Sequence, residues 1–176
     1  IFCLMSVLFA ENGLTVLGDL SFYFFVVVFA LLLHGFLTYS LFLVLFVKVN
    51  PFKFFNKIKS LMLFAFSTSS SNATIPVTLK TVVDDIGVSR KIASFTVPLG
   101  ATINMDGTAI MQGVATVFIA NAYSIDLSFA DYLMVILIAT LASIGTAGVP
   151  GVGLIMLAMV LNLSLIHISE PTRRLN

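Results

Sequence analysis

Five mainly apolar stretches, separated by short polar ones, make up most of this chain. They cover residues 1–10, 22–47, 61–89, 92–122 and 132–161. A helix needs about 20 apolar residues to cross the ~30 Å hydrocarbon core of a bilayer. Residues 22–47 carry no formal charge and are long enough to cross it with tilt, so they predict a transmembrane helix. Residues 1–10 are too short and are interpreted as the end of a truncated transmembrane helix.

Two of these stretches are interrupted in the middle. In residues 61–89 the interruption is the serine-rich run 67–76, and in residues 132–161 it is the run 143–153, which is rich in glycine. Glycine and proline disfavour one straight helix, and neither half of either stretch is long enough to span a membrane. Each stretch therefore predicts a re-entrant helical hairpin, whose tip must be buried in protein or line a cavity because bare backbone in lipid is too costly.

The charged residues set the expected orientation of these elements. Four lysines follow the first span, namely Lys48, Lys53, Lys57 and Lys59. Residues 11–21 and 121–131 carry acidic side chains and no basic ones. The positive-inside rule then places the lysines, with a short interfacial helix from Pro51, in the cytoplasm and the acidic loops outside. The two hairpins would enter from opposite faces, an arrangement that points to the binding site of a transporter.

The composition agrees with a membrane protein. Hydrophobic residues make up 59% of the 176 and charged residues 10%, with a mean hydropathy of +1.11, whereas soluble domains are about a quarter charged. This hydrophobicity excludes a disordered chain, and a net charge of +1 without a basic face argues against nucleic-acid binding. Cys3, His34 and His167 provide neither a disulfide framework nor a metal cluster. The predicted fold class is an all-α multi-pass membrane protein.

Asp106 is a carboxylate close to the middle of the apolar stretch 92–122. A charge at mid-bilayer costs about 2.5–3.5 kcal/mol on insertion scales, and nothing basic in the chain is predicted at the same depth. His34 has no acidic residue at helical spacing, so we expect it to pack against a neighbouring helix. A functional role is the alternative, because a lone histidine within a membrane span is a functional candidate. A bound cation is therefore the predicted partner of Asp106. A helix kink, with Asp106 hydrogen-bonded to another span, is the alternative.

Oxygen-bearing residues around this carboxylate are spaced two apart: Thr102, Asn104, Asp106 and Thr108. On a regular helix residues two apart diverge by about 200°, so their oxygens gather only if the helix unwinds. Gly100 and Gly107 would make unwinding cheap. Oxygen ligands suit a hard cation, and with few charges a monovalent ion such as Na⁺ fits best. Residues 92–122 are therefore predicted to form a broken transmembrane helix.

The two interrupted runs offer different chemistry. Residues 67–76 bring hydroxyls and the free N–H groups of a helix N-terminus, which attract carboxylates. Simple N-capping by serine or asparagine is the alternative. Residues 143–153 bring carbonyls and flexibility, which suit a gate that closes over substrate; a packing patch of small residues is the alternative.

Together and in this order, the three motifs resemble the dicarboxylate/amino acid:cation symporter family, which includes the excitatory amino acid transporters and an archaeal glutamate-transporter homologue. The resemblance covers about residues 1–162 and is carried by residues 69–76 (SSSNATIP), 98–108 (PLGATINMDGT) and 142–151 (ASIGTAGVPG). It implies the transport domain of an elevator-type homotrimer, in which two oppositely oriented re-entrant hairpins flank a broken helix.

The resemblance also implies roles for individual residues. The substrate would be contacted by the serines of the first hairpin and the end of the middle motif, and covered by the second hairpin, through Ser69, Ser70, Ser71, Thr108, Val149, Pro150, Gly151, Val152 and Gly153. Sodium would be bound by Gly100, Thr102, Asn104, Asp106, Ser143, Ile144 and Thr146. Met105 would point between the ion and substrate sites. No cofactor is implied other than the coupling ion.

The implied function is not enzymatic. It is sodium-coupled symport of an acidic amino acid or a C4-dicarboxylate across a cell membrane, with the bacterial inner membrane as the expected one. Ser69 stands where some members have an arginine, and the eighth helix, which recognises the substrate in this family, is not in the sequence. A neutral amino acid or proton-coupled dicarboxylate symporter of the same family therefore stays open. So do a channel, a non-transporting scaffold and a gene piece without function.

Residues 163–176 break abruptly from the apolar composition before them. They resemble the translation of a transposase sequencing adapter, so we expect them to be no part of the natural gene, and no fold is predicted for them. A genuine polar loop after a helix is the alternative.

Overall fold

The computed structural model describes residues 6, 10, 13 and 16–169, with side chains described up to residue 163. These residues form helices and short connections and contain no β-strand, which confirms the all-α class predicted from the sequence. Of the predicted element 1–10 only Ser6 and Ala10 are described, and both are helical. Residues 170–176 of the predicted non-native tail lie outside the described residues.

The first described segment is one continuous helical run. It consists of α1 (Val16–Leu33), a π-helical turn (His34–Thr38), α2 (Tyr39–Phe42) and a second π-helical turn (Leu43–Val47). Its residues Leu17–Val47 form the one described helix that is long and apolar enough to cross a membrane. The run begins six residues before the predicted span and ends where Lys48 adopts a left-handed φ of 55°.

The first helix pair consists of α3 (Pro51–Thr68) and α4 (Ser71–Thr81), and a π-helical turn (Val82–Ile86) extends α4. The side chain of Asn50 starts α3 by accepting a 2.9 Å hydrogen bond from the backbone N–H of Phe52, with Pro51 in the first turn. The expected short interfacial helix from Pro51 is wrong. The structure has a single 18-residue helix there, because nothing in the chain interrupts the helix started by the cap.

The helices after this pair hold the other two motifs. The stretch 92–122 forms α5 (Arg90–Ile103) and α6 (Asp106–Ala122), separated at Asn104 and Met105. The second helix pair is α7 (Phe129–Ile144) and α8 (Val152–Ser169). A capping box starts α7: hydrogen bonds from the hydroxyl and the backbone N–H of Ser128 lower the pKa of the Asp131 carboxyl.

Helix α6 occupies the centre of the packing, because it contacts α1, α7 and α8, while α4 packs against α3 and α5. Small buried residues let α7 and α8 approach closely, as in the cluster of Ala139, Ala142 and Val160. Large apolar side chains point outward instead; Phe22 and Phe46 are exposed by 69% and 73%. A surface this apolar needs lipid or further protein around it.

Candidate functional site

The tips of the two helix pairs are in direct contact; the first tip is residues 69–70 and the second tip is residues 145–151. The Ser70 hydroxyl donates a 2.8 Å hydrogen bond to the carbonyl oxygen of Gly148, and the backbone N–H of Asn72 donates to the same oxygen at 3.1 Å. A Cβ on Gly148 would lie 3.0 Å from Asn72 Oδ1 and 3.1 Å from the Cβ of Ser71. The close approach of the tips therefore depends on a glycine at position 148.

The serines of the first tip combine structural and chemical roles. Ser69 ends α3 with a left-handed φ of 48°, and Ser70 is the N-cap of α4, where its Oγ accepts from the backbone N–H of Ala73 at 3.3 Å. The N-capping alternative raised from the sequence therefore holds for Ser70. A hydroxyl donates only one hydrogen bond, so Ser70 can donate to a substrate carboxylate only after leaving Gly148.

A cavity of about 430 Å³ opens between the first helix pair and α5, beside these serines. Hydroxyl groups supply much of its lining, from Ser69, Ser70, Ser71, Thr74, Thr78 and Thr96. A larger cavity of about 550 Å³ between α1, α6 and α7 is apolar and contains none of the predicted site residues. The hydroxyl-lined cavity is the better candidate for a polar ligand, because a few convergent polar groups fix orientation and specificity.

The segment after the second tip contacts α6. A Cβ on Gly153 would lie 3.3 Å from the Met111 side chain and 3.4 Å from that of Thr108, and Gln112 Nε2 donates to the Gly153 carbonyl at 3.3 Å. The segment 145–153 therefore bridges the first tip and the middle motif. It joins predicted substrate residues from all three motifs, with Val149, Pro150, Gly151 and Val152 lying between the two contacts.

Asp106 accepts two hydrogen bonds from the first helical run, both on Oδ2. The Tyr39 hydroxyl donates at 2.7 Å and His34 Nε2 lies at 3.1 Å. When the carboxylate is ionised it can only accept, and His34 Nε2 is then the donor of this hydrogen bond. His34 packs against a neighbouring helix as expected, but the expectation that nothing basic shares the depth of Asp106 is wrong. These contacts match the alternative raised from the sequence, a helix break with Asp106 hydrogen-bonded to another span, and the bound cation stays a prediction. Helical spacing could not reveal a pair that is 72 residues apart.

The middle motif unwinds less than the sequence suggested. The break is confined to Asn104 and Met105, whereas Gly100 and Gly107, expected to make unwinding cheap, both lie in helix. Thr102 Oγ1 donates back to the carbonyl of Pro98 at 3.1 Å. Among the described residues, no hydrogen bond joins the Asp106 carboxylate to Thr102 or Asn104.

Met105 and Thr108 lie together at the start of α6. Met105 is largely buried, with 9% of its surface exposed, and its sulfur is 4.0 Å from Thr108 Oγ1. Thr108 also contacts Gly153. The expected position of Met105 between the ion and substrate sites stays a prediction.

The sodium ligands predicted near the second tip are engaged within their own segment. The Ser143 carbonyl accepts the backbone N–H of Thr146 at 3.1 Å, and Thr146 Oγ1 donates to the carbonyl of Ala142 at 2.9 Å. Ser143 and Thr146 are buried, while Ile144 is 43% exposed at the end of α7. Their role as ligands stays a prediction, because these carbonyls would have to exchange a backbone N–H for the ion.

Sequence reasoning missed two residues of this region. Tyr39 sits in an apolar run that gave no sign of a distant acidic partner. Gln112 is fully buried, and among the described residues its Oε1 has no hydrogen-bond partner. A polar amide in the middle of an apolar helix was a usable signal, since polar residues in such helices are expensive to bury.

Comparisons with known proteins identify the same family of transporters that the three motifs indicated. The sequence profile of the sodium:dicarboxylate symporter family matches residues 1–170, so the match continues past residue 163, and the prediction for residues 163–176 stays untested. Excitatory amino acid transporter 5 of Mus musculus is 43% identical over 157 residues, which are 89% of this chain. Excitatory amino acid transporter 1 of Rattus norvegicus is 40% identical over 144 residues, or 82% of the chain.

A third relative has a different named substrate. Neutral amino acid transporter B(0) of Bos taurus is 43% identical over 129 residues, which are 73% of this chain. All three relatives are named as transporters, and none as an enzyme. The chain spans about a quarter of the length of these curated relatives, covering 27%, 26% and 24% of them.

Proposed function

Because the chain belongs to the sodium:dicarboxylate symporter family, as its three motifs indicated, we propose that the complete protein is a sodium-coupled symporter of a small carboxylate. Its substrate is an acidic amino acid or a C4-dicarboxylate, carried across a cell membrane. The observation that carries this proposal is the segment 145–153, which contacts the first tip at one end and α6 at the other. One segment can thereby cover a ligand held by the other two motifs.

The first tip supplies the substrate carboxylate with a suitable environment. Ser70 and Ser71 stand at the N-terminus of α4, where the helix dipole favours an anion. The N–H group of Asn72 is bonded to Gly148, so it becomes available to a ligand only when the second tip moves away. The hydroxyl-lined cavity beside them has room for a small molecule. When a carboxylate accepts the hydrogen bond of the Ser70 hydroxyl, the Gly148 carbonyl loses that bond. Substrate entry and movement of the second tip are therefore coupled.

Asp106 supplies the charge that a sodium ion needs. The donors proposed around it, Thr102, Asn104 and the carbonyls near the second tip, are all oxygens, which suit a hard monovalent cation. In this proposal the ion is cargo that travels with the substrate. Its binding offsets the cost of a carboxylate in the membrane, so ion and carboxylate stabilise each other.

We also propose that both helix pairs are re-entrant hairpins that enter from opposite faces. Helices α4 and α7 have 11 and 16 residues, short of the ~20 needed to cross. The amine of Lys57 donates to the carbonyl of Asp85 at 2.8 Å, which joins the two arms of the first pair far from its tip. The elevator movement and the homotrimer are proposed on the family relationship alone.

A neutral amino acid is the second candidate substrate. It is supported by the 43% identity to a neutral amino acid transporter, which equals the identity to excitatory amino acid transporter 5. Either substrate would present its α-carboxylate to the same serines. The two candidates differ only in the side-chain recognition that lies elsewhere in the complete protein.

Uptake by the complete protein in liposomes tests the proposal. Inward gradients of sodium, potassium or protons are imposed in parallel, with radiolabelled aspartate, succinate and alanine as probes. The proposal expects uptake only with the sodium gradient, and competition by the acidic compounds. Uptake of alanine alone would favour the second candidate. Equal uptake under all three gradients would refute sodium coupling.

A further inference from the structure

We propose that Tyr39 and His34 are positioning residues for the sodium site, because together they fix one oxygen of Asp106 and leave the other for the ion. This inference rests on the proposed function in one respect, that Asp106 binds sodium. It adds two residues of the first helical run to a site that the sequence motifs confined to residues 100–108 and 143–146.

The geometry starts with a local distortion of the first helical run. In a regular α-helix two residues five apart point about 140° away from each other. The run instead forms a π-helical turn over His34–Thr38, in which the Tyr39 backbone N–H bonds to the carbonyl of His34. Because a π-helical turn closes on the fifth residue, the two side chains come to one face, with ring centroids 5.1 Å apart.

Both side chains then converge on one atom. Tyr39 and His34 reach Oδ2 of Asp106 at 2.7 Å and 3.1 Å, and no hydrogen bond to Oδ1 occurs within the described part of the chain. A carboxylate has about four acceptor positions, so a simple packing contact would not need both donors on a single oxygen. The arrangement fixes the rotation of the carboxylate and leaves Oδ1 as its open position.

The chemistry of the two donors suits this role. A phenol is neutral, and so is an imidazole in its singly protonated form. In that form the two donors hold the carboxylate without cancelling the charge that attracts a cation. Groups that orient a metal ligand from behind typically contribute 10–100-fold to metal affinity. A lysine or arginine in the same place would compete with the ion instead.

The test measures sodium and substrate separately in the complete protein, reconstituted in liposomes. Tyr39→Phe keeps the ring and removes the hydroxyl donor. His34→Phe removes the donor of the imidazole, whereas His34→Gln keeps a donor in its amide. Tyr23→Phe is the matched control, because Tyr23 lies on the same helical run and its hydroxyl makes no hydrogen bond within the described residues. The readouts are the half-saturating sodium concentration, the half-saturating substrate concentration at saturating sodium, and the maximal rate.

The inference expects Tyr39→Phe and His34→Phe to raise the half-saturating sodium concentration about ten-fold. The substrate value at saturating sodium and the maximal rate should stay near those of the parent, and His34→Gln should recover most of the sodium affinity. Tyr23→Phe should behave as the parent protein. A parallel loss of sodium affinity, substrate affinity and rate would show a merely structural role and overturn the inference.

Asp106→Asn separates this inference from the proposed function. If Asp106→Asn abolishes the sodium dependence while Tyr39→Phe and His34→Phe match the Tyr23→Phe control, the sodium site stands and the positioning role is wrong. If Asp106→Asn leaves the sodium dependence unchanged, Asp106 is not a sodium ligand and the inference fails with it, whereas sodium-coupled symport is refuted only by equal uptake under all three gradients.

Discussion

The Ser70 hydroxyl donates a 2.8 Å hydrogen bond to the carbonyl oxygen of Gly148, 78 residues further along the chain. This bond joins the first tip, which supplies hydroxyl and N–H donors, to the second tip, which supplies carbonyl acceptors. Because Ser70 has one proton to donate, Gly148 and a substrate carboxylate compete for it. The contact between the tips is therefore a natural place for substrate to control the position of the second tip.

Gly148→Ala should strengthen substrate binding several-fold. The added Cβ would lie 3.0 Å from Asn72 Oδ1 and 3.1 Å from the Cβ of Ser71, so the tips would be forced apart and the Ser70 hydroxyl would be released from Gly148 for the substrate carboxylate. Gly145→Ala is the matched control, because the nearest atom to its Cβ, the Ala142 carbonyl oxygen, lies at an ordinary 3.7 Å. Substrate titrations of uptake measure both, and equal effects of the two substitutions would contradict the tip contact.

Ser71→Ala should lower substrate affinity about ten-fold or more, because a hydrogen bond to a charged group contributes about 1.5–3 kcal/mol. Sodium binding without substrate should stay close to normal. Ser67→Ala serves as the control, since the Ser67 hydroxyl donates to the Leu63 carbonyl within α3. Equilibrium binding of substrate and of sodium distinguishes the variants. A loss of sodium binding in Ser71→Ala would show that this serine does not act on substrate alone.

Gln112→Met should speed substrate release by up to about ten-fold, since it removes the hydrogen bond to the Gly153 carbonyl, worth about 0.5–1.5 kcal/mol. Release of radiolabelled substrate from preloaded protein gives the rate. Thr116→Val is the control: Thr116 is equally buried, but its hydroxyl bonds to the Gln112 carbonyl within α6. Unchanged release in Gln112→Met would mean that this contact does not hold the segment 145–153.

Composition and motif order were sufficient to predict the helical class and the family, because both depend on residues close together in sequence. Local geometry was predicted less well. Because glycine disfavours helix, unwinding of the middle motif was predicted at Gly100 and Gly107, yet the helix breaks at Asn104 and Met105. Propensity indicates which residues tolerate unwinding, whereas packing of the two halves against different helices decides where it occurs.

The partners of Asp106 could not be predicted from the sequence. They lie 67 and 72 residues away, and the pairing needs a π-helical turn that brings Tyr39 and His34 to one face. Spacing rules for regular helices count neighbours three and four apart, so they miss a pair five apart. The contact between Ser70 and Gly148 was hidden in the same way, although each residue had been singled out through its own motif.

If the two helix pairs enter the membrane from opposite faces, the loop that contains Ser124 faces outside and the lysines of α3 face the cytoplasm. Asn56 lies among the lysines of α3, and Ser124 lies just before Asp126 in the connection between α6 and α7. Both are exposed. Single cysteines at these positions, in a Cys3→Ser background of the complete protein, should react differently with an impermeant thiol reagent on intact cells. Ser124→Cys should be labelled and Asn56→Cys should be protected until the membrane is opened. Equal labelling of both in intact cells would refute the topology.

The sodium dependence of Asp106→Asn tests the central claim most directly. The substitution keeps the size of the side chain and its hydrogen bonding but removes the charge that offsets the desolvation of the ion. Sodium-driven uptake into liposomes is measured for the parent and the variant over a range of sodium concentrations. We expect the variant to lose most of its sodium affinity and, by reciprocal linkage, its sodium-dependent substrate binding. A variant with the same sodium dependence as the parent would contradict the assignment of Asp106 as a sodium ligand.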